Sequence, residues 1–294
     1  MRARAHSSRM RAASSCPADA HGLAVLKGFA CEQPAGSSFA TSIAIPAVRL
    51  CVWPSETDEF ISNGILQNGT WLLWHDEAVR RHVVCELAKA TRRESLSDRT
   101  PWLLDVGANI GTFTLPLLAA GFNVMAFEAF APNFALLQAS VEVLSANRAQ
   151  FPLQGRAILV NKALTAPRAP KTLCMTRGGA DTNQGHTRID ASAACDERVA
   201  TSTLDEEVRA HLPSARVEGL KMDIEGHEHL ALQGAARLLG GSHHRPSRIF
   251  VEAVENRDQV HRLLSNHSFR CRLFTVRHGN ASLRPPCDFA CAPR

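Results

Sequence analysis

The chain predicts an α/β protein built on a mostly parallel sheet with helices on both faces. Two observations carry that reading. From about residue 100, strand-like apolar runs alternate with helix-like stretches, and the first run, WLLDVGA, passes through the glycine-bearing loop DVGANIG (105–111) into IGTFTLPLLAA, which has helical spacing up to Gly121. A near-continuous apolar strand, a tight loop and a helix in that order are the opening unit of a parallel sheet buried on both sides.

The elements follow in order. WLLDVGA (102–108) is the first strand, NVMAFEA (123–129) the second, AILVNKALT (157–165) the third, EGLKMDIEG (218–226) the fourth and RIFVEAV (248–254) the fifth. Between the second and third runs a helix opens at Pro132, where a missing N–H costs nothing, and continues through FALLQASVEVL. Another, HEHLALQGAARLL, is closed by Gly240 and Gly241. FRCRLFTVR (269–277) reads as a final antiparallel strand.

Two stretches break the alternation. Residues 166–200 are polar, Gly-rich and aperiodic, so they are expected as an excursion beyond the third strand, near the open end of the sheet. Residues 40–99 hold a loop-rich part and then an amphipathic helix from about Asp76, expected beside the first strand with the loop part over the site. The expected organisation is an N-terminal extension (1–38), a cap and helix (39–99), the α/β domain (100–280) and a C-terminal tail (281–294).

Composition narrows the function. The formal charge of +5 is partly local, because Arg2, Arg4, Arg9 and Arg11 precede the first acid, Asp19, so the body is only mildly basic and no nucleic-acid partner is expected. No apolar run reaches the ~18 residues of a membrane helix, and no compact apolar stretch follows the early arginines as in a secretory signal. Residues 1 to about 35 are read as a disordered tail that adds nothing to the core, an organellar transit segment being the alternative to a cytoplasmic protein. The nine cysteines show no C-x-x-C, so neither a zinc cluster nor a disulfide framework is signalled and reduced, mostly buried thiols are expected, the alternative being that Cys271, Cys287 and Cys291, crowded near the C-terminus, bridge in an oxidising compartment. N-x-S/T triplets at Asn68, Asn266 and Asn280 are common enough by chance to weigh little here.

The loop can be read chemically. Ligands of open parallel sheets sit outside the carboxyl ends of the strands, where strand order reverses, and Gly107 and Gly111 allow close backbone approach. The second strand ends in Glu128, 21 residues beyond Gly107, a spacing that brings a carboxylate to a ribose diol. A pyrophosphate would need G-x-G-x-x-G, whereas Ala108-Asn109 fills that space, so NAD is disfavoured and S-adenosylmethionine, a ribose-bearing ligand without phosphate, is expected. In K-M-D-I-E, period-two alternation puts Lys221, Asp223 and Glu225 on one face, and a lysine inside a central strand needs a carboxylate such as Asp223 or Glu252. Asp223, Glu225 or His227 is the expected base for an in-line transfer to a hydroxyl. A divalent ion on Asp223, Glu225 and Glu252 is the weaker alternative to hydrogen-bonded structure, and no metal is expected.

Taken together, LLDVGANIGTFT, FEAFAPNFALLQ, LVNKAL, TSTLDEEV, LKMDIEGHEHLALQGA and IFVEA resemble the FkbM-type S-adenosylmethionine-dependent methyltransferases over roughly residues 55–255. The resemblance implies a Rossmann-like class I methyltransferase fold with a mostly parallel seven-stranded sheet, and methylation of hydroxyls of sugars, polyketides or other small molecules. By position, Asp105, Gly107, Ala108, Asn109 and Gly111 match the family's cofactor loop, Glu128 the acid that holds the ribose hydroxyls, and Asp223 and Glu225 the acidic pair of the fourth strand. His227 stands where a small residue is common in the family, and residues 166–200 depart from its pattern. A non-catalytic scaffold and a nicotinamide oxidoreductase are the alternatives, the latter disfavoured by the loop.

Overall fold

A computed structural model describes residues 15–31, 43–93, 101–146, 155–177, 184, 187–189, 195–241, 245–253, 255–273, 276–278, 281–283 and 288–294. The chain opens with β1 (Gly22–Leu26), β2 (Phe29–Cys31), β3 (Ile43–Ile45) and β4 (Val48–Val52), followed by α1 (Ile61–Asn68) and α2 (Trp74–Arg93). The alternating part begins with β5 (Trp102–Val106), α3 (Thr114–Ala119), β6 (Asn123–Phe127), α4 (Ala131–Ala146) and β7 (Ala157–Val160). Next come β8 (Ala163–Leu164), β9 (Thr172–Arg177), β10 (Thr187–Ile189), β11 (Glu197–Ser202) and α5 (Leu204–His211). The remainder is β12 (Val217–Met222), α6 (Glu228–Gln233), α7 (Ala236–Gly240), β13 (Arg248–Glu252), α8 (Arg257–Asn266), β14 (Phe269–Leu273), β15 (Val276–His278), β16 (Ala281–Leu283) and β17 (Asp288–Pro293).

Seven strands form the main sheet in the order β14-β17-β13-β12-β5-β6-β7. β7, β6, β5, β12 and β13 pair in parallel, and β17 runs antiparallel between β13 and β14. This is the mostly parallel seven-stranded sheet with helices on both faces that the sequence predicts. Successive residues of the central strands enter opposite cores. Leu103, Val124 and Ala126 pack with α2, α3 and α4, whereas Trp102, Leu104, Val106, Met125 and Phe127 pack with α5 to α8. Both faces are therefore covered, which is why these strands read as continuous apolar runs. Gly219 belongs to this packing, since a Cβ there would run into Leu87 of α2.

Several expectations are corrected. Within the supposed inert extension, residues 15–31 carry β1 and β2, with Ala24, Leu26 and Cys31 buried in the core. β1 pairs with β4 and shows only a five-residue alternation, Leu23 and Val25 facing outward, too short to stand out among small residues. In the supposed tail, residues 288–293 are a main-sheet strand, with Phe289 and Cys291 buried. The third predicted strand is two: β7 stays in the main sheet, and β8 joins β9, β10 and β11 in a separate four-stranded sheet. That sheet occupies the described part of the excursion. The amphipathic helix, α2, lies across β12 and β13 as well as β5. Eight of the nine cysteines are paired rather than reduced, as Cys16–Cys51, Cys31–Cys85, Cys174–Cys195 and Cys271–Cys291. Cys287, Asn280 and the His243-His244 pair lie outside the described residues. Among the described residues no helix is long and apolar enough to cross a membrane.

Candidate active site

The chain steps from β5 to β6 and β7 on one side, then returns through β12 on the other, so strand order reverses between β5 and β12. At such a switch the loops after the two strands diverge and leave a crevice. A cavity of about 610 Å³ opens there, within the roughly 300–1,000 Å³ typical of small-molecule sites.

Its floor is a buried charge network. Lys221 of β12 stands opposite Asp105 of β5, its Nζ 3.4 Å from Asp105 Oδ1 and 3.7 Å from Asp223 Oδ2. The ammonium also donates to the Gly107 carbonyl at 2.7 Å and lies 4.8 Å from the centre of the Phe113 ring. Burial opposes its charge, but Asp105 and Asp223 outweigh it and hold the lysine above its ordinary range. Asp105 is itself buried, with Oδ2 accepting from Thr114 Oγ1 at 2.6 Å. Paired in this way, Lys221 and Asp105 are accommodated inside a sheet that would otherwise exclude charge, with Asp223 just beyond the end of β12.

The loop after β5 is tied to the end of β6. The Gly107 and Ala108 amides both donate to the Phe127 carbonyl at 2.9 Å, and the Asn109 amide donates to Glu128 Oε2 at 2.7 Å. Asn109 takes a left-handed conformation (φ 51°), and its Oδ1 accepts from the Ile110 amide. At Gly107 (φ 79°) a Cβ would collide with the Asp223 carbonyl. Glycine is thus required there by the close approach of the β12 loop as well as by the turn. Glu128 accepts from Asn109 on one oxygen and from the Phe130 amide on the other, at 2.9 Å. Burial raises its pKa to about 7 against the pull of these two amides and of Lys221. Each oxygen keeps a second lone pair, so two more donors can be accepted at the cavity wall, as a ribose diol would require.

The loop after β12 is held as firmly. Glu225 (φ 52°) and Gly226 (φ 94°) turn left-handed, and Glu228 accepts from the amides of Ile224 at 3.0 Å and Gly226 at 3.1 Å. Asn256 braces the same turn, donating to the Gly226 carbonyl at 2.7 Å and to Glu228 Oε2 at 3.0 Å. A strained non-glycine turn over-determined by neighbouring bonds is characteristic of functional sites. Glu225 lines the cavity, and its pKa is raised to about 8 by burial first and then by Asp223 and Glu228.

Of the residues singled out from sequence, Gly107, Ala108, Asn109, Glu128, Asp223 and Glu225 line one cavity. Three do not. Asp105 lies beneath the floor, Gly111 (φ 99°) packs against Leu115 and Leu137, and His227 faces away, its Nε2 3.0 Å from Thr165 Oγ1. Burial, then His229, lowers the His227 pKa to about 4. Among the described residues no group of three His, Cys, Asp or Glu is placed to hold a metal ion.

Sequence reasoning missed other parts of the wall. Phe60, just before α1, and Trp71, Leu72 and Leu73, in the segment after it, form an apolar rim, and Met175 and Ile189 of the small sheet also line the cavity. Asn161 donates to the Glu128 carbonyl at 2.8 Å and so fixes the end of β6. Its signal was the LVNKAL motif, read only as part of the resemblance. The rim carries no motif, and only its place in the fold shows it.

Residues 105–271, more than half of the chain, match the methyltransferase FkbM domain. Among solved structures, similarity extends to magnesium protoporphyrin IX methyltransferase from Synechocystis PCC 6803 with bound S-adenosylmethionine (11% identity, 74% of this chain and 80% of that one, TM-score 0.39). It extends also to precorrin-6y C5,15-methyltransferase from Geobacter metallireducens GS-15 (12%, 72% and 89%, TM-score 0.39). A third is a methyltransferase dependent on the same cofactor from Agrobacterium tumefaciens (12%, 73% and 63%, TM-score 0.40). Comparison with curated proteins gives no match.

Proposed function

The chain belongs to the FkbM methyltransferase family, and from that premise we propose that it methylates a hydroxyl of a small molecule or sugar, with Glu225 as the base. The family's cofactor is S-adenosylmethionine, which when bound supplies an electrophilic methyl on a sulfonium. The observation that carries the reading is the strained turn that holds Glu225 in the cavity with its proton affinity raised to about 8. An alcohol is a poor nucleophile until its proton has somewhere to go, and a carboxylate with a pKa near the working pH takes it best.

The other residues then have distinct tasks. Glu128 would hold the ribose hydroxyls, with the Asn109 amide keeping its carboxylate in place. The Asn109 side chain at the cavity wall suits the carboxylate of the cofactor's amino-acid tail, and Asp223 suits its cationic part. Lys221 positions Asp223 and the Gly107 carbonyl without needing to touch the acceptor. The apolar rim of Phe60, Leu72 and Leu73 excludes water and suits an acceptor with an apolar part beside its hydroxyl.

The test is transfer of labelled methyl from S-adenosylmethionine into a pool of sugars, polyketides and other small alcohols. The expected product is a methyl ether, formed by the wild type and lost in Glu225→Gln. Labelled N- or C-methyl products would overturn the hydroxyl assignment. Binding of S-adenosylhomocysteine with no turnover on any pool would favour a scaffold role.

A further inference from the structure

The nine cysteines have no spacing motif, yet the fold seats eight of them in four pairs, with none of the described cysteines left over. The Cα atoms of Cys16 and Cys51 are 5.5 Å apart, those of Cys31 and Cys85 and of Cys174 and Cys195 each 5.3 Å, all within bridging reach. Cys271 and Cys291 are direct partners in the register of β14 and β17. The placement is systematic. Cys16–Cys51 and Cys31–Cys85 fasten the N-terminal segment to β4 and α2, Cys174–Cys195 joins β9 to the segment entering β11, and Cys271–Cys291 ties the edge strand of the main sheet to its neighbour. Each bridge thus secures a part peripheral to the central strands. Such staples persist only where the surroundings are oxidising.

A second observation is independent of the cysteines. Asn68-Gly69-Thr70 and Asn266-His267-Ser268 are both acceptor triplets for N-linked glycan. Both asparagines are exposed, and each is the last residue of a helix, α1 or α8. Within each triplet the chain leaves the helix through a left-handed residue, Gly69 (φ 69°) or Ser268 (φ 60°). The amide nitrogens therefore stand at surface corners where a bulky modification displaces no packed atom.

We propose that this chain matures in an oxidising, glycosylating compartment, where the four bridges close and Asn68 and Asn266 carry N-linked glycan. The expected cytoplasmic setting is replaced by a lumenal or extracellular one. Each bridge forms by exchange with an oxidised dithiol carrier: two thiols lose two protons and two electrons, and the carrier's disulfide is reduced to a dithiol. In glycan transfer, Asn Nδ2 forms a bond to the anomeric carbon of a lipid-diphosphate-linked oligosaccharide. The carbon–oxygen bond to the diphosphate breaks, the amide proton passes to the transferase, and the lipid diphosphate leaves.

The test uses the endogenous full-length protein, taken from cells lysed in a thiol-alkylating reagent. Peptide mapping without reduction should recover the four named pairs, and glycosidase treatment should convert Asn68 and Asn266 to aspartate with a drop in apparent mass. Asn68→Gln and Asn266→Gln, expressed in the same cells, should each remove one step of that mass shift and leave the bridges intact. Alkylated thiols at the eight positions, or bridges with no glycan at either asparagine, overturn the proposal.

Discussion

Glu128 and Glu225 stand on either side of β5, one beyond β6 and one beyond β12, and both hold a proton more tightly than an ordinary glutamate, for different reasons. At Glu128 burial is opposed by two backbone amides and by Lys221, so the carboxylate is fixed in direction and its pKa stays at about 7. At Glu225 burial is reinforced by Asp223 and Glu228, on a turn held left-handed, and the pKa reaches about 8. Hydrogen bonds that stabilise the charged form make an acceptor of other hydrogen bonds; like charges that destabilise it make an acceptor of protons. On the proposed reading, one fold thus derives a binding group and a base from the same type of side chain.

The largest test of this contrast removes the base. Glu225→Gln should lower kcat by ~10²–10⁴ and leave the dissociation constant for S-adenosylmethionine nearly unchanged, as read by turnover and calorimetric titration in parallel. The complementary change, Glu128→Ala, should weaken the cofactor by ~10–10³-fold, since a hydrogen bond to a charged group contributes about 1.5–3 kcal/mol and two are at stake. If Glu128→Ala lost only stability, its carboxylate would be a support for the Asn109 and Phe130 amides and not a cofactor ligand.

Acidity should separate the two ends without mutation. Cofactor affinity should fall as pH drops through about 7, where Glu128 gains a proton, while kcat should fall already below about 8, where Glu225 does. Stability takes the opposite sign. A carboxylate whose folded pKa lies above its ordinary value of 4.5 contributes stability fully present below 4.5 and lost as pH rises through the folded value. Above pH 6.5, where the lowered pKa of His227 no longer adds an opposing rise, melting temperature should therefore decline up to about pH 8 in the wild type, and Glu225→Gln should flatten the last part of that decline. A flat profile in the wild type would show that neither carboxylate is perturbed.

The central strands were legible because burial on both faces makes them apolar at nearly every position, Asp105 in WLLDV and Asn123 in NVMAF being the exceptions. The shape of the loop was legible because close approach demands glycine at 107, and the place of Glu128 because it directly follows the apolar run of β6. What failed was short or nonlocal. β17 presents six residues of small and mixed type, and its place between β13 and β14 depends on partners outside its own sequence. β10 is three residues long and β8 two, below any periodicity. The cysteine pairs are 20 to 54 residues apart, and such spacings acquire meaning only when the fold brings them together. His227 lies outside the cavity wall because adjacency in sequence to Glu225 does not survive the turn at Gly226.

That residue supplies the smallest expected effect and the sharpest control. The imidazole is neutral at working pH, since burial and His229 lower its pKa to about 4, and its Nε2 is engaged with Thr165 Oγ1 at 3.0 Å. It is absent from the cavity wall that Asp223 and Glu225 share. What it joins is the start of α6 to the residue after β8, a link between the main sheet's helical layer and the small sheet. His227→Ala should therefore cost one neutral hydrogen bond, about 0.5–1.5 kcal/mol of stability, seen as a small drop in melting temperature with kcat and its pH profile unmoved. His227→Gln, which can keep a bond to Thr165, should recover part of the loss. If His227→Ala instead lowered kcat as far as Glu225→Gln and shifted the acid limb of the profile, the base would lie on the α6 side of the turn, and Glu225 would be left as a group that tunes it.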